Sequence, residues 1–289
     1  MSPFGENPPA VVVTGSSTGI GAACVRELDR RGFRVFAGVR TTADGDRLRA
    51  ASSPRLLPLP LDVTLPESIA AAAQAVRASV GGAGLAGLVN NAGIAVAGPL
   101  EILPLDQIRE AFAVNVLGVI GVTQAMLPLL RQARGRIVNI GSLNGRIACP
   151  YLGAYSASKH ALEALSDALR IELRGWGIQV AVVQPGNTAT PLWDKSFAAA
   201  DALATQASAA AIDLYKADLD AFRTACAHLA DTAGTVDRTV RAIVHALTAR
   251  RPRVRYRIGL KVDLLLRVYK WIPTRLWDRI LRRALGLPD

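Results

Sequence analysis

At 289 residues the chain is long enough for one large α/β domain, and its 51% hydrophobic content, rich in Ala, Val and Leu, excludes extended disorder. A formal charge of +11 would suit nucleic acid if it were spread out, but residues 250–289 hold twelve Arg and Lys against three Asp, and the remainder is nearly neutral. Cys24, Cys149 and Cys226 lie far apart with no CxxC pair, so neither a zinc ribbon nor a disulfide framework is expected, no metal site is read, and a reducing cytoplasm suits them.

In chain order, the N-terminus lacks a charged region followed by an apolar one, and no stretch reads as the roughly 18 charge-free apolar residues of a spanning helix. Neither a signal peptide nor a transmembrane span is therefore expected. Short apolar runs then alternate with longer segments of helical period: AVVVT (10–14), FRVFAGV (33–39), RLLPLPLDV (55–63), LAGLVNN (85–91), GRIVNIGS (135–142) and IQVAVVQPG (178–186). Apolar residues at consecutive positions imply strands covered on both faces, which predicts an α/β doubly wound fold, a parallel sheet with helices on either side. Residues 20–31, 66–80, 105–132 and 154–174 read as the intervening helices.

Residues 187–234 are Ala-rich and strand-free; in this architecture they lie beyond the carboxyl end of a strand, where ligand crevices form. A helix is expected over 236–250, and VRYRIG (254–259) alternates apolar residues with arginine and reads as an edge strand. The expectation is one domain over 1–259, including a helical substrate lid over 187–234, then a basic amphipathic extension over 260–289.

Thr14-Gly15-Ser16-Ser17-Thr18-Gly19-Ile20-Gly21 follows the first strand and opens a helix. Glycines so spaced permit a tight turn, close backbone approach to a pyrophosphate, and phosphates at the helix N-terminus. Gly15, Ser17, Thr18, Gly19, Ile20 and Gly21 are therefore candidate cofactor-binding residues. The second strand ends at Val39-Arg40, where an acidic residue would grip the ribose hydroxyls of NAD. A guanidinium there suits a 2′-phosphate, so NADP is favoured; Asp44 or Asp46 in the next segment can still reach a ribose, which leaves NAD open. The fourth strand runs into Asn90-Asn91-Ala92-Gly93 and the fifth into Ser142, both ends facing the same crevice. Tyr155 follows, with Lys159 four residues on in a predicted helix, so phenol and ammonium share one helical face.

On these motifs, with Asn115, the Tyr155-Ser156-Ala157-Ser158-Lys159 run and Pro185-Gly186, the chain resembles the short-chain dehydrogenase/reductase family over residues 10 to about 190. The resemblance implies a Rossmann-type sheet in the order 3-2-1-4-5-6-7, NAD(P) binding, and a homodimer or homotetramer built on the two long helices. It implies catalytic roles for Asn115, Ser142, Tyr155 and Lys159. It also places Asp62 and Val63 near the adenine, Asn91, Ala92, Gly93, Pro185 and Gly186 along the cofactor, and Thr188 and Thr190 near the nicotinamide carboxamide. A carbonyl receiving hydride needs an acid as its oxygen gains charge, and Tyr155 supplies it. A neighbouring ammonium favours phenolate, so Lys159 is expected to bring the Tyr155 phenol down toward neutral pH and, by the resemblance, to hold the nicotinamide ribose. Ser142 can donate to the substrate oxygen, and Asn115, mid-helix, is implied to link Lys159 to solvent through a water.

Leu143, Cys149, Leu152, Leu192, Trp193 and Phe197 fall in loops expected to overhang the nicotinamide, with Tyr215 a further candidate. They are mostly apolar, which points to a small lipophilic carbonyl or alcohol; VFAGVR and PGNTATPLWDKS are similar to the retinol and hydroxysteroid dehydrogenase branch. The tail 260–287 interleaves Leu, Trp and Ile with Arg and Lys and breaks at Pro273, as two short amphipathic helices would. Packing of their apolar faces on the domain is favoured over peripheral membrane contact, and no nucleic-acid partner is expected. A non-catalytic NAD(P)-sensing or scaffold protein on the same fold is the rival function; it would show a lost member of the catalytic set, and none is lost.

Overall fold

The computed structural model describes residues 8–186, 188, 209–231 and 234–287. Seven strands form one all-parallel sheet: β1 Ala10–Val13, β2 Arg34–Val39, β3 Leu56–Pro60, β4 Gly87–Asn90, β5 Arg136–Ile140, β6 Gln179–Pro185 and β7 Arg255–Ile258. Their order is β3-β2-β1-β4-β5-β6-β7, so the chain reverses direction across the sheet between β1 and β4, and a crevice opens there at the carboxyl ends.

The strands are apolar at successive positions because each face meets its own helical layer. Val11 and Val13 of β1 point into a cluster with α1 (Gly19–Arg30) and α8 (Val236–Thr248), through residues such as Val25, Leu28, Ile243 and Val244. Val12 points the other way, with Leu88 and Ile137, against α3 (Pro66–Val80) and α5 (Gly118–Ala133). α3 starts on Pro66, whose missing N–H costs nothing in a first turn; it buries Ile69, Ala72, Val76 and Val80 and stops at Gly81, which has φ +53°. Ile69, Val76 and Val80 each contribute about 1.5–3 kcal/mol relative to exposure.

Two elements differ from the sequence expectation. α2 (Thr42–Ala50) has no counterpart among the predicted helices, because only Gly45 and Leu48 are buried and its polar sequence carries no apolar period. The predicted helix 105–132 is three pieces: α4 (Leu105–Phe112), a π-helical segment Ala113–Leu117, and α5. This run also has the length and apolarity of a membrane span, contrary to expectation. Its composition follows from burial: Val122, Met126, Leu129 and Leu130 lie in the core against the sheet.

α6 (Gly153–Glu172) packs beside β6, and a buried polar ladder joins them to the sheet centre. Asn90 donates to Thr123 Oγ1 at 3.1 Å and to Asn139 Oδ1 at 2.9 Å, and Asn139 donates to Ser166 Oγ at 2.8 Å. Within the segment expected as a lid, Ala209–Asp231 forms helix α7, and a parallel bridge between Thr188 and Gly234 brings its two flanks together. The tail forms α9 (Leu260–Val268) and α10 (Thr274–Ala284), broken at Pro273 as the sequence implies.

Candidate active site

At the carboxyl end of β1 the chain turns through Gly15 at φ +64° and enters α1 through Gly19 at φ +55°. A Cβ on Gly21 would lie 2.2 Å from the Gly15 carbonyl oxygen and 2.5 Å from Asn91 Nδ2, so the turn tolerates no side chain there. The Thr18 side chain makes no capping bond to α1, and the first-turn N–H groups of a helix lack intrahelical acceptors. A bare turn leading into a helix N-terminus fits the pyrophosphate of a dinucleotide. Ser17, Thr18 and Ile20 line this entry, and Thr14 fastens it: its hydroxyl oxygen accepts the N–H groups of Asn91 and Ala92. Sequence reading quoted Thr14 without giving it a task; a Thr directly before the first glycine was the available signal.

Arg40 and Asp62, expected near the adenosine, follow the carboxyl ends of the neighbouring strands β2 and β3. Arg40 is exposed there, and its charge, after the Thr64 hydroxyl, helps hold the Asp62 carboxyl below its ordinary range. Asp62 accepts the Thr64 N–H at 2.9 Å and hydroxyl at 2.6 Å. Val63 turns its side chain into the core, close under Gly118. Asp44 and Asp46 sit on α2, where Asp44 binds Arg47 and accepts the Thr41 hydroxyl at 2.8 Å, and Asp46 faces Arg49 at 3.9 Å.

Ser142 follows β5 and caps a 3₁₀ turn over Leu143–Gly145, its oxygen accepting the Asn144 N–H at 3.1 Å. The same hydroxyl hydrogen-bonds the Tyr155 phenol on the first turn of α6. Tyr155 and Lys159 are both buried, with Lys159 Nζ 5.9 Å from the Tyr155 ring centre and donating to the Ile140 carbonyl at 2.8 Å. Asn115 occupies the π-helical segment, not regular helix: its Oδ1 accepts the Ile94 N–H at 2.9 Å and its Nδ2 donates to the Ile94 carbonyl at 2.8 Å and to Ser158 Oγ at 3.0 Å. A Cβ built on Gly93 would lie 3.2 Å from Asn115 Oδ1 and 3.6 Å from Lys159 Nζ, so the amide oxygen and the ammonium flank one spot. The four residues converge from three segments: the π-helical turn, the loop after β5 and the start of α6.

The electrostatics correct one expectation. Burial pushes the Tyr155 phenol up, with the Ser142 hydrogen bond opposing it, so on balance the phenol is not brought down toward neutral pH. Lys159 Nζ, 5.9 Å from the ring centre and donating to the Ile140 carbonyl, does not offset the cost of burying the phenolate. Lys159 itself is brought down to about 8 by burial, with Glu163 acting the other way.

Of the residues expected to meet substrate, Leu143 is half-buried in its turn, while Cys149 and Leu152 pack with Ala97, with Phe222 of α7, and with Leu281, Leu285 and Leu287 of the tail. Tyr151, at φ +60°, donates its hydroxyl to Asp218 of α7 and its ring lies 5.5 Å from Phe222. Burial and Asp218 push that phenol up to about 12. Nothing in the sequence marked Tyr151 as the link between this loop and α7. Tyr215 donates to Glu101. Pro185 ends β6, Gly186 follows it, and Thr188 is buried at its bridge to Gly234. Thr190, Leu192, Trp193 and Phe197 lie outside the described residues.

A dinucleotide cradle at the point where strand order reverses, with a phenol and an ammonium one strand away, is the layout of a nicotinamide-dependent oxidoreductase. Known proteins agree with that class. A short chain dehydrogenase family model matches residues 9–201. Retinol dehydrogenase 7 of Mus musculus is 41% identical over 276 residues, covering 94% of this chain and 87% of that protein. The 17-beta-hydroxysteroid dehydrogenase type 6 of Bos taurus is 40% identical over 284 residues, covering 96% and 89%. Among solved structures, a short-chain dehydrogenase from Streptomyces avermitilis superposes with TM-score 0.75 at 28% identity, covering 96% of this chain and 98% of that one. Another, from Burkholderia cenocepacia J2315 in complex with NADP, gives TM-score 0.71 at 25% identity, covering 98% and 99%. The chain belongs to the short-chain dehydrogenase family and is an NAD(P)-dependent oxidoreductase acting on CH–OH and C=O groups.

Proposed function

We propose that the chain interconverts a lipophilic ketone or aldehyde and its alcohol, with Tyr155 carrying the proton and NADP preferred over NAD. The observation that carries this reading is the buried Tyr155 phenol, hydrogen-bonded to Ser142 and one helical turn from Lys159. Bound NADPH supplies the hydride. As the substrate oxygen gains negative charge, Tyr155 donates its phenolic proton to it and Ser142 fixes its position by a second hydrogen bond. Lys159, as an ammonium, stabilises the phenolate left behind and holds the nicotinamide ribose. Asn115 ties the Ile94 loop to Ser158 and keeps its amide oxygen beside Lys159. The Gly15–Gly21 turn would hold the pyrophosphate and Arg40 the adenosine 2′-phosphate, with the Asp44 carboxylate already bound to Thr41 and Arg47 on α2.

The lipophilic substrate class is supported by the apolar cluster in which Cys149 and Leu152 pack with Phe222, Leu285 and Leu287, and by relatives named for retinol and a hydroxysteroid, both lipophilic alcohols. Tyr155→Phe tests the reading: NADPH oxidation on a panel of aliphatic, retinoid, steroid and aromatic carbonyls should fall about 10²–10⁴-fold while NADPH binding persists. Near-wild-type turnover would overturn it. Exposed Leu105 and Leu117 on the first long helical run and Ile171 on α6 support a homo-oligomer through those helices, which Leu117→Glu should shift toward monomer in light scattering.

One observation favours a second reading for the tail, peripheral contact with an anionic membrane from the cytoplasmic side. Its inner face, Leu281, Leu285 and Leu287, packs on the fold, but Trp271 is 86% exposed and Leu264, Val268, Leu276 and Ile280 are exposed beside Arg267, Arg275 and Arg279. Liposome flotation with and without anionic lipid tests this; equal recovery in the soluble fraction removes it.

A further inference from the structure

Lys159 is a buried cation, and no acid of the catalytic set neutralises it. The structure supplies one a turn further along the same helix. Glu163 has a side chain only 4% exposed, a rare burial for a carboxylate. Its two oxygens are held from different strands: Gln184 of β6 donates to Oε1 at 2.6 Å, and Arg255 of β7 donates through Nε to Oε2 at 2.9 Å. Arg146, in the loop after β5, stands 3.9 Å from Oε2. A Cβ on Gly141 would lie 3.3 Å from Oε1, so a larger residue there would crowd the carboxylate.

We propose that Glu163 is a positioning residue, the fixed counter-charge that keeps Lys159 an ammonium beside Tyr155. The inference rests on the role given to Lys159 above and adds a residue to it. Residues four apart on a helix face one another, about 5–6 Å between Cβ atoms. Among the described residues, the titratable groups around this pair are Tyr155 on α6, Arg146 from the loop after β5 and Arg255 from β7. Arg255 does not consume Glu163 alone, because its other arm donates to Asp167 at 2.6 Å. Asp167, a turn further out and 41% exposed, anchors β7 to α6. Glu163, buried one turn from Lys159 on the same helix, is the group that opposes the effect of burial on it.

A merely structural Glu163 and a charge-holding one differ in pH dependence. Activity that needs the Lys159 ammonium is lost as pH rises through its titration. Glu163→Gln should therefore move the alkaline limb of the kcat/KM profile about one pH unit toward acid. The Lys159 resonance, followed by NMR titration in the absence of turnover, should move with it. Glu163→Asp, which keeps the charge, should recover part of the shift, and Asp167→Asn should lower Tm while leaving the limb in place. Should Glu163→Gln fail to fold, Glu163→Gln/Arg255→Met removes both members of the pair and leaves no unpaired buried arginine. An unmoved limb and an unmoved Lys159 titration in the folded variant overturn the inference. Tyr155→Phe measured in parallel separates the two failures: if it keeps turnover the underlying reading falls, and if it is inactive only the role of Glu163 falls.

Discussion

The Thr14 hydroxyl oxygen accepts the N–H of Asn91 at 3.0 Å, while the Asn91 side-chain amide donates back to the Thr14 carbonyl at 2.9 Å. The exchange joins the loops after β1 and β4, the two strands that flank the crevice. Asn91 also donates to the Gly15 carbonyl at 2.9 Å, so the glycine turn is held from the neighbouring strand as well as by its own sequence.

Thr14→Val keeps the shape and removes the acceptor. Thr14 is 1% exposed, so the Asn91 and Ala92 N–H groups would be left buried without it. Each orphaned donor costs about 1–3 kcal/mol. Thermal unfolding should show a lowered Tm, and NADPH titration a weakened Kd, if the loop that Thr14 fastens holds the cofactor as proposed. An unchanged Kd in a destabilised protein would confine Thr14 to a folding role.

Gly21→Ala tests the turn itself. The added methyl meets the Gly15 carbonyl at 2.2 Å, and neither backbone segment can yield without moving α1 away from β1. Cofactor binding should be lost, whereas Gly82→Ala, which meets nothing within 4 Å, should bind as the parent does. Calorimetric titration of both variants with NADP gives the comparison.

Arg40→Ala should lower the ratio of kcat/KM for NADPH over NADH about 10–100-fold, the worth of a charge-assisted hydrogen bond. Arg40 is exposed, so Tm should hold. A ratio that does not move would return the cofactor choice to another residue.

The strands and the order of motifs were legible because a doubly covered sheet writes continuous apolar runs into its sequence, and because Gly15, Ser142, Tyr155 and Lys159 keep fixed spacing. What escaped notice escaped for physical reasons. α2 buries two residues and so leaves no periodicity to read. Asn115 is singled out by its motif, but not the π-helical turn that makes room for its three bonds to Ile94 and Ser158. Arg255 alternates with apolar neighbours as an outward-facing residue would, yet it pairs inward with Glu163 and Asp167 across a long sequence gap. Leu285 and Leu287, at the far end of the tail, pack with Leu152 and Phe222; packing on the domain is the favoured reading of the tail, but its particular partners cannot be read locally. Partners distant in sequence leave no local pattern.

Lys159→Met offers the sharpest separation of stability from function. Burial brings the ammonium from its ordinary 10.5 down to about 8. Below pH 8 both folded and unfolded chains carry the proton, so folding bears the full cost of burying the charge. Between pH 8 and 10.5 the folded chain releases the proton and the unfolded chain keeps it, so stability of the parent rises with pH across that window. At about 1.4 kcal/mol per pKa unit the cost at neutral pH is roughly 3 kcal/mol. Methionine fills similar space without a charge, and Glu163 keeps Arg255 as its partner. The variant should therefore melt higher than the parent at pH 7, by an amount that shrinks toward zero by pH 10.5, while turnover is lost. An equal or lower Tm at pH 7, or a gain that persists at pH 10.5, would show that the ammonium is not held at a cost, and the pairing with Glu163 would then need no functional explanation.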